Sequence, residues 1–177
     1  MYHIKRRLYK IPPRVVLKTK FKPNDIIAVS GLYKMYNVKD GIKSQIDEKH
    51  NLIMSDVYTK IANAFKNTYL AYYYKIEHLG LGDDNTTPTT SDSSLGNETY
   101  RVPYVVREST GVGVLSTEFY ITDVEFSGTI EELGVFGGVN SSITTDSGNL
   151  LSHVLWSYSK STSEELLIDY QLTVEAG

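Results

Sequence analysis

Leu166-Leu167-Ile168-Asp169-Tyr170-Gln171-Leu172-Thr173-Val174 is the stretch on which the fold turns. Leu166, Ile168, Tyr170, Leu172 and Val174 fall on one side of an extended chain and Leu167, Asp169, Gln171 and Thr173 on the other. A period of two is that of a β-strand with one buried face. The segment before it, Leu150 to Tyr158, repeats the pattern with Val154, the only tryptophan Trp156, and Tyr158 on one side. Thr162-Ser163 lies between the two strands as a turn.

Working toward the N-terminus, the same signal recurs. Strands are expected at Gly31 to Val38 and Ile42 to Glu48, joined by Lys39-Asp40-Gly41, where Asp-Gly supplies the positive φ of a tight hairpin turn. Further strands are expected at Ala71 to Leu79, ended by Gly80-Leu81-Gly82, and at Tyr100 to Arg107. Leu115 to Phe126 and Ile130 to Phe136 follow, the latter stopped by Gly137-Gly138. One amphipathic helix interrupts them near 55 to 68. Val57, Ile61, Ala64 and Phe65 recur there at helical spacing, and Ser55 is available as N-cap. Asp83 to Asn97 and Asn140 to Asn149 are almost wholly polar and read as long exposed loops. The fold expected is mainly β: an antiparallel β-sandwich or barrel-like domain over residues 31 to 177 with one packed helix.

Residues 1 to 30 read differently. Pro12, Pro13 and Pro23 separate short β-favouring runs such as Arg14-Val15-Val16-Leu17, so the segment is expected to be an extended arm with one or two strand contacts. It carries Lys5, Arg6, Arg7, Lys10, Arg14, Lys18, Lys20 and Lys22 against the single acid Asp25. The overall charge of −3 therefore divides into a basic arm of +7 and a body of −10. Such a division suits an arm that docks on a neighbouring acidic body or wraps its own domain, or one that contacts nucleic acid through phosphate neutralisation. The arm has no aromatic-interleaved binding motif and no reading helix, which weighs against nucleic acid.

The residues offer little reactive chemistry. There are no cysteines, so no disulfide, thiolate metal site or cysteine nucleophile can form. His3, His50, His78 and His153 are scattered without metal-ligand spacing and read as structural or surface histidines. Asp83-Asp84-Asn85 resembles the start of a calcium loop but lacks the glycine and distal glutamate of an EF-hand. Asp123 with Glu125, and Glu131 with Glu132, have the composition of a glycosidase pair but no cleft signal. Gly111-Val112-Gly113 is followed by neither the third glycine of a dinucleotide fingerprint nor the lysine of a phosphate loop. No cofactor, metal or enzymatic activity is expected. No stretch has the roughly 20 apolar residues of a membrane span, and the amino terminus lacks a signal-peptide run, so a chain made and assembled in a cytoplasm is expected. The 14 tyrosines and one tryptophan suit strands and interfaces. They also suit sugar stacking, in which case exposed aromatics should cluster beside loops 83 to 97 and 138 to 149.

The order of short motifs is itself informative. Lys49-His50-Asn51-Leu52-Ile53 precedes the helix, then come Leu79-Gly80-Leu81-Gly82, Thr87-Pro88-Thr89, Ser91-Asp92, and Leu95-Gly96-Asn97-Glu98 before Tyr100-Arg101. Gly128-Thr129-Ile130-Glu131-Glu132-Leu133-Gly134-Val135-Phe136-Gly137 and Leu150-Leu151-Ser152 follow. Over about Gly31 to Val174 this order resembles a group of small tailed-phage and prophage virion proteins of tail, tail-fibre or head-decoration type. The sequence departs from that pattern in its basic arm and in Asp83-Asp84-Asn85, where relatives carry a glycine- and threonine-rich turn. The resemblance implies a structural protein of the virion that assembles with itself and with other virion proteins. It would serve as a capsid decoration or as a tail, baseplate or fibre-anchoring component, and a host-surface glycan is the alternative partner.

Overall fold

The computed structural model describes residues 27–66 and 75–176. The eight arm cations and the start of the strand expected from Ala71 lie outside the described residues. Among the described residues the fold is mainly β, a single sheet of nine antiparallel strands nearly closed into a barrel, with one short helix. In chain order the elements are β1 (Ile27–Lys39), β2 (Ile42–His50), β3 (Leu52–Ile53), α1 (Ser55–Lys66) and β4 (Ile76–Gly82). They continue as β5 (Glu98–Gly111), β6 (Val114–Ile121), β7 (Gly128–Gly137), β8 (Asn149–Lys160) and β9 (Glu165–Ala176). Neighbours in the sheet run β2-β1-β9-β6-β5-β4-β7-β8-β3.

The barrel-like alternative therefore prevails over two separate sheets. Closure comes from a strand that changes partner. Lys49 and His50 still pair with β1, Asn51 N–H donates to Gly31 O at 3.2 Å, and one residue later Leu52 lies opposite His153 of β8. Gly31 permits this crossing, since a Cβ there would meet Asn51 Oδ1 at 2.1 Å. Across the same seam the Tyr33 and Ser152 hydroxyls are 2.5 Å apart, and the Tyr33 and Tyr170 rings stack tilted at 4.8 Å. All three residues are buried. Burial raises the Tyr33 hydroxyl well above its ordinary range and pushes that of Tyr170 up to about 12, so both phenols stay protonated near neutrality.

The interior is filled from β1 and from β4 to β9, including Met35, Leu79, Val102, Phe119, Leu133, Trp156 and Ile168. The β1–β2 turn has the positive φ expected of Asp40 and Gly41. The helix begins at Ser55 as anticipated, and Val57 and Ile61 pack against the core.

Several expectations need correcting. Residues 27 to 30, read as part of the arm, belong to the sheet: Ile27 opposes Ala176 and Val29 opposes Val174. Gly80-Leu81-Gly82 does not end a strand but forms the last part of β4, paired on both sides. β6 stops at Ile121 rather than Phe126 because Glu125 folds back to accept Thr122 N–H at 2.8 Å, turning the chain and leaving Val124 86% exposed. The closing strand is buried on both faces at its centre. Leu167 and Asp169 are covered as well as Leu166, Ile168 and Tyr170, although Leu167 stands outside the core cluster.

If the tyrosine–serine contact secures the seam, Tyr33→Phe should lower unfolding free energy by about 1 kcal/mol, the net worth of one buried hydrogen bond. Urea denaturation with an unchanged m value checks this, because the barrel should stay closed in the variant.

Candidate functional site

Alternation along the sheet places Leu79, Val102, Val135 and Ser152 toward the interior and their neighbours Gly80, Arg101, Gly134 and His153 outside. An exposed sheet surface is the default for such a position, yet Glu98, Arg101, Glu132 and His153 are all buried. Loops 83–97 and 138–149 cover them, folding back over β5-β4-β7-β8 rather than projecting from the barrel end.

Two carboxylates hold that cover. Glu132 accepts Gly96 N–H at 3.0 Å, Asn97 N–H at 2.9 Å and His153 Nε2 at 2.7 Å. The other ring nitrogen of His153 faces Asp92 Oδ2 at 3.2 Å, an arrangement satisfied in full when both nitrogens donate. Asp92 in turn accepts from Thr89, through its amide at 2.8 Å and its hydroxyl at 2.5 Å. Loop 83–97 is thus fastened at its end and its middle to one buried histidine–glutamate pair. Leu95, the one large apolar side chain of this loop, packs over Gly134 and is 4% exposed.

Glu98 does the same for the second loop. It binds Arg101 with both oxygens at 2.6 Å and accepts Asp146 N–H at 2.7 Å. The Arg101 guanidinium donates to Ser147 O at 2.5 Å and lies 3.9 Å over the Phe136 ring. Such a bidentate pair, with Nη1 directed at the carbonyls of Ser142 and Ser147, is what makes a buried ion pair tolerable.

Glycines make the room. A Cβ at Gly80 would lie 2.6 Å from Glu98 Oε1, and one at Gly82 would lie 2.3 Å from Glu132 Oε1. That is the physical reason the Gly80-Leu81-Gly82 segment continues a strand.

Burial alone would push the Glu132 carboxyl up, but the His153 hydrogen bond, the Asn97 and Gly96 amides and the imidazole charge outweigh it and hold it below 4.5. Burial of Asp92 is likewise outweighed by its bonds from Thr89 and His153, and its carboxyl also lies below the ordinary value.

Of the histidines, His3 is outside the described residues and His50 is exposed. His78 bonds Ser141 Oγ at 2.7 Å, and burial, then the Arg101 charge, lowers its pKa. His153 is buried, and its union with Glu132 and Asp92 was not foreseen. A bulge between Ile130 and Glu132 interrupts the alternation of β7, and Glu132 is buried in the clasp while Glu131 is half-buried. Asp83 accepts from Asn97 Nδ2 at 2.6 Å and Asp84 from Thr86 N–H at 2.5 Å, which uses the calcium-like acids as loop ties. Among the described residues no group of three or more His, Asp or Glu is arranged to hold a metal ion. Gly111-Val112-Gly113 forms the β5–β6 turn, with Gly113 at φ 73°.

Three surface recesses border the clasps. One of about 500 Å³ is lined by hydroxyls including Thr86, Thr87, Ser91 and Ser93, together with Asp92 and His153. A second of about 500 Å³ lies between Lys49, Pro88 and His153, and a third of about 260 Å³ joins Ser55 and Asp56 to both loops. None of the three has an aromatic lining residue, and Trp156 is 1% exposed. No helix among the described residues is long and apolar enough to cross a membrane. Compared with known proteins, the chain matches no family model, no curated protein and no solved structure.

Because the folded Glu132 and Asp92 carboxyls are depressed, their contribution to stability is complete above the unfolded values and is lost as pH falls through the lower folded ones. Thermal melts should therefore weaken below about pH 4.5. Glu132→Gln should cost about 3 kcal/mol at pH 7, by leaving buried partners uncompensated, and should flatten the acid slope.

Proposed function

We propose that this chain is a structural protein of a tailed virus particle that works by packing against copies of itself and neighbouring subunits. The observation that carries the reading is where the recurring motifs fall. Leu79-Gly80-Leu81-Gly82, Ser91-Asp92, Leu95-Gly96-Asn97-Glu98, Tyr100-Arg101 and Glu132-Leu133-Gly134-Val135-Phe136 carry the resemblance to small virion proteins. They also supply both carboxylate clasps and the glycine clearances beneath them. Their ionisable groups are turned onto backbone amides and carbonyls of the loops, a use that serves a fixed outer surface. A protein that acts in a symmetric array needs such a surface, because small displacements repeat at every contact.

The arm supplies the second half of the reading. Its cations and the acidic body are complementary, which favours an extended segment laid on a neighbour's acidic surface. Capsid decoration and a tail, baseplate or fibre-anchoring place are equally compatible with this chemistry. Glycan binding has one favourable observation, the hydroxyl-lined recess beside His153, and lacks the aromatic platform that sugar stacking uses.

Light scattering of the full chain, free of nucleic acid and at low salt, should give a defined oligomer. A full-length variant with the eight arm cations replaced by serine should be smaller. Monomers in both cases would rule out arm-mediated self-assembly.

A further inference from the structure

The two halves of the barrel differ on the outside. The β5-β4-β7-β8 half is overlaid by its own loops, as described above. On the β1-β9-β6 half the register lines up two cross-strand rows, Lys34–Asp169–Glu118 and Tyr36–Leu167–Tyr120. The polar contacts of this face run between its own strands. Lys43 Nζ meets Glu118 at 2.9 Å, Ser116 Oγ donates to Asp169 at 2.6 Å, and Tyr120 Oη donates to Glu165 at 2.5 Å. Leu167 is shielded by the flanking tyrosines, both of which remain partly exposed.

We infer that this face is the docking surface for residues 1–26 of a neighbouring copy of the chain, an inference that rests on the assembly reading above. Three observations carry it. The first is charge. Asp169, Glu48 and Glu118 act on Tyr36 against Lys43, and Glu165, Asp123 and Glu125 act on Tyr120, whereas residues 1–26 hold eight cations and one acid. The field is registered at both rings. Burial and then Asp169 raise the Tyr36 hydroxyl pKa, while its bond to Glu165, followed by burial, pushes that of Tyr120 up to about 12.

The second is position and length. β1 enters this face at Ile27, opposite Ala176, while Glu165 lies at the far end opposite Val38. That length of strand spans about 37 Å. Twenty-six residues reach up to about 85 Å when extended, more than twice the face. At Ile27 the direction of β1, followed backward, leads off the face, so covering the face of its own copy would require residues 1–26 to reverse.

The third is the chemistry of the occupant. Val15, Val16 and Leu17 lie between Arg14 and Lys18, an apolar run bracketed by cations. The tyrosine row bracketed by carboxylates is its complement. Contact of one copy's arm with another copy's face joins unlike surfaces, an arrangement that closes as a reciprocal twofold exchange of arms or continues as a ring or a stack.

The chain has no cysteine, which makes disulfide trapping specific. Full-length Val16→Cys and full-length Lys34→Cys, prepared separately, mixed and oxidised, should give a linked heterodimer. Val139→Cys on the opposite loop layer should not replace Lys34→Cys. Glu118→Lys with Glu165→Lys in the Lys34→Cys partner should reduce trapping by about ten-fold, and reversing the arm with Lys18→Glu and Lys20→Glu should restore it. That rescue excludes a folding defect as the cause. Equal trapping at Val139, or a link formed only within a single chain carrying both cysteines, would overturn the inference. If the protein assembles through its arm but Lys34→Cys is not trapped, the docking face is wrong and the assembly reading stands. If it neither assembles nor traps, both fall.

Discussion

Glu132 is the residue on which the outer layer depends. Its carboxylate lies where the ordinary surface of a sheet would be, yet it is 1% exposed and holds two loop amides and an imidazole. A carboxylate cannot be removed from water without such partners. Those partners exist only if loop 83–97 lies flat on the strands, and the loop can lie flat only because Gly82 and Gly134 carry no side chain. Glu98 and Arg101 impose the same condition on loop 138–149. Each loop is polar because it must present donors and acceptors inward as well as outward.

This arrangement explains which parts of the fold were legible. β9, the β1–β2 turn and the start of α1 depend on local period and local turn chemistry, and the residues themselves announce them. β4 was misread because its glycines answer to side chains from β5 and β7, elements that its own sequence does not contain. The choice between sandwich and barrel is similarly non-local, since it turns on Asn51 passing the chain from β1 to β8.

The loops were recognised as long and polar, but their fold-back was missed. One local sign was present. Leu95 stands alone as a large apolar residue among Asp, Asn, Thr, Ser and Gly, and an apolar residue in such company needs a surface to cover. The partnership of Glu132 with His153 required knowing that β7 and β8 are neighbours in register, which spacing along the chain does not encode.

A barrel with one side sealed by its own loops and the other lined with tyrosines and carboxylates has two different surfaces on a rigid frame. Glu98, Arg101, Glu132 and His153 tie the loops to the sealed side. The account therefore stands or falls on whether loop 83–97 is locked in solution. The most direct measurement is backbone amide hydrogen exchange of the full chain at neutral pH, comparing Gly96 and Asn97 with Asn85 in the same loop. The clasp predicts exchange at Gly96 and Asn97 slowed by about a hundred-fold or more. Equal, rapid exchange at all three would show that Glu132 does not hold the loop and would contradict the account.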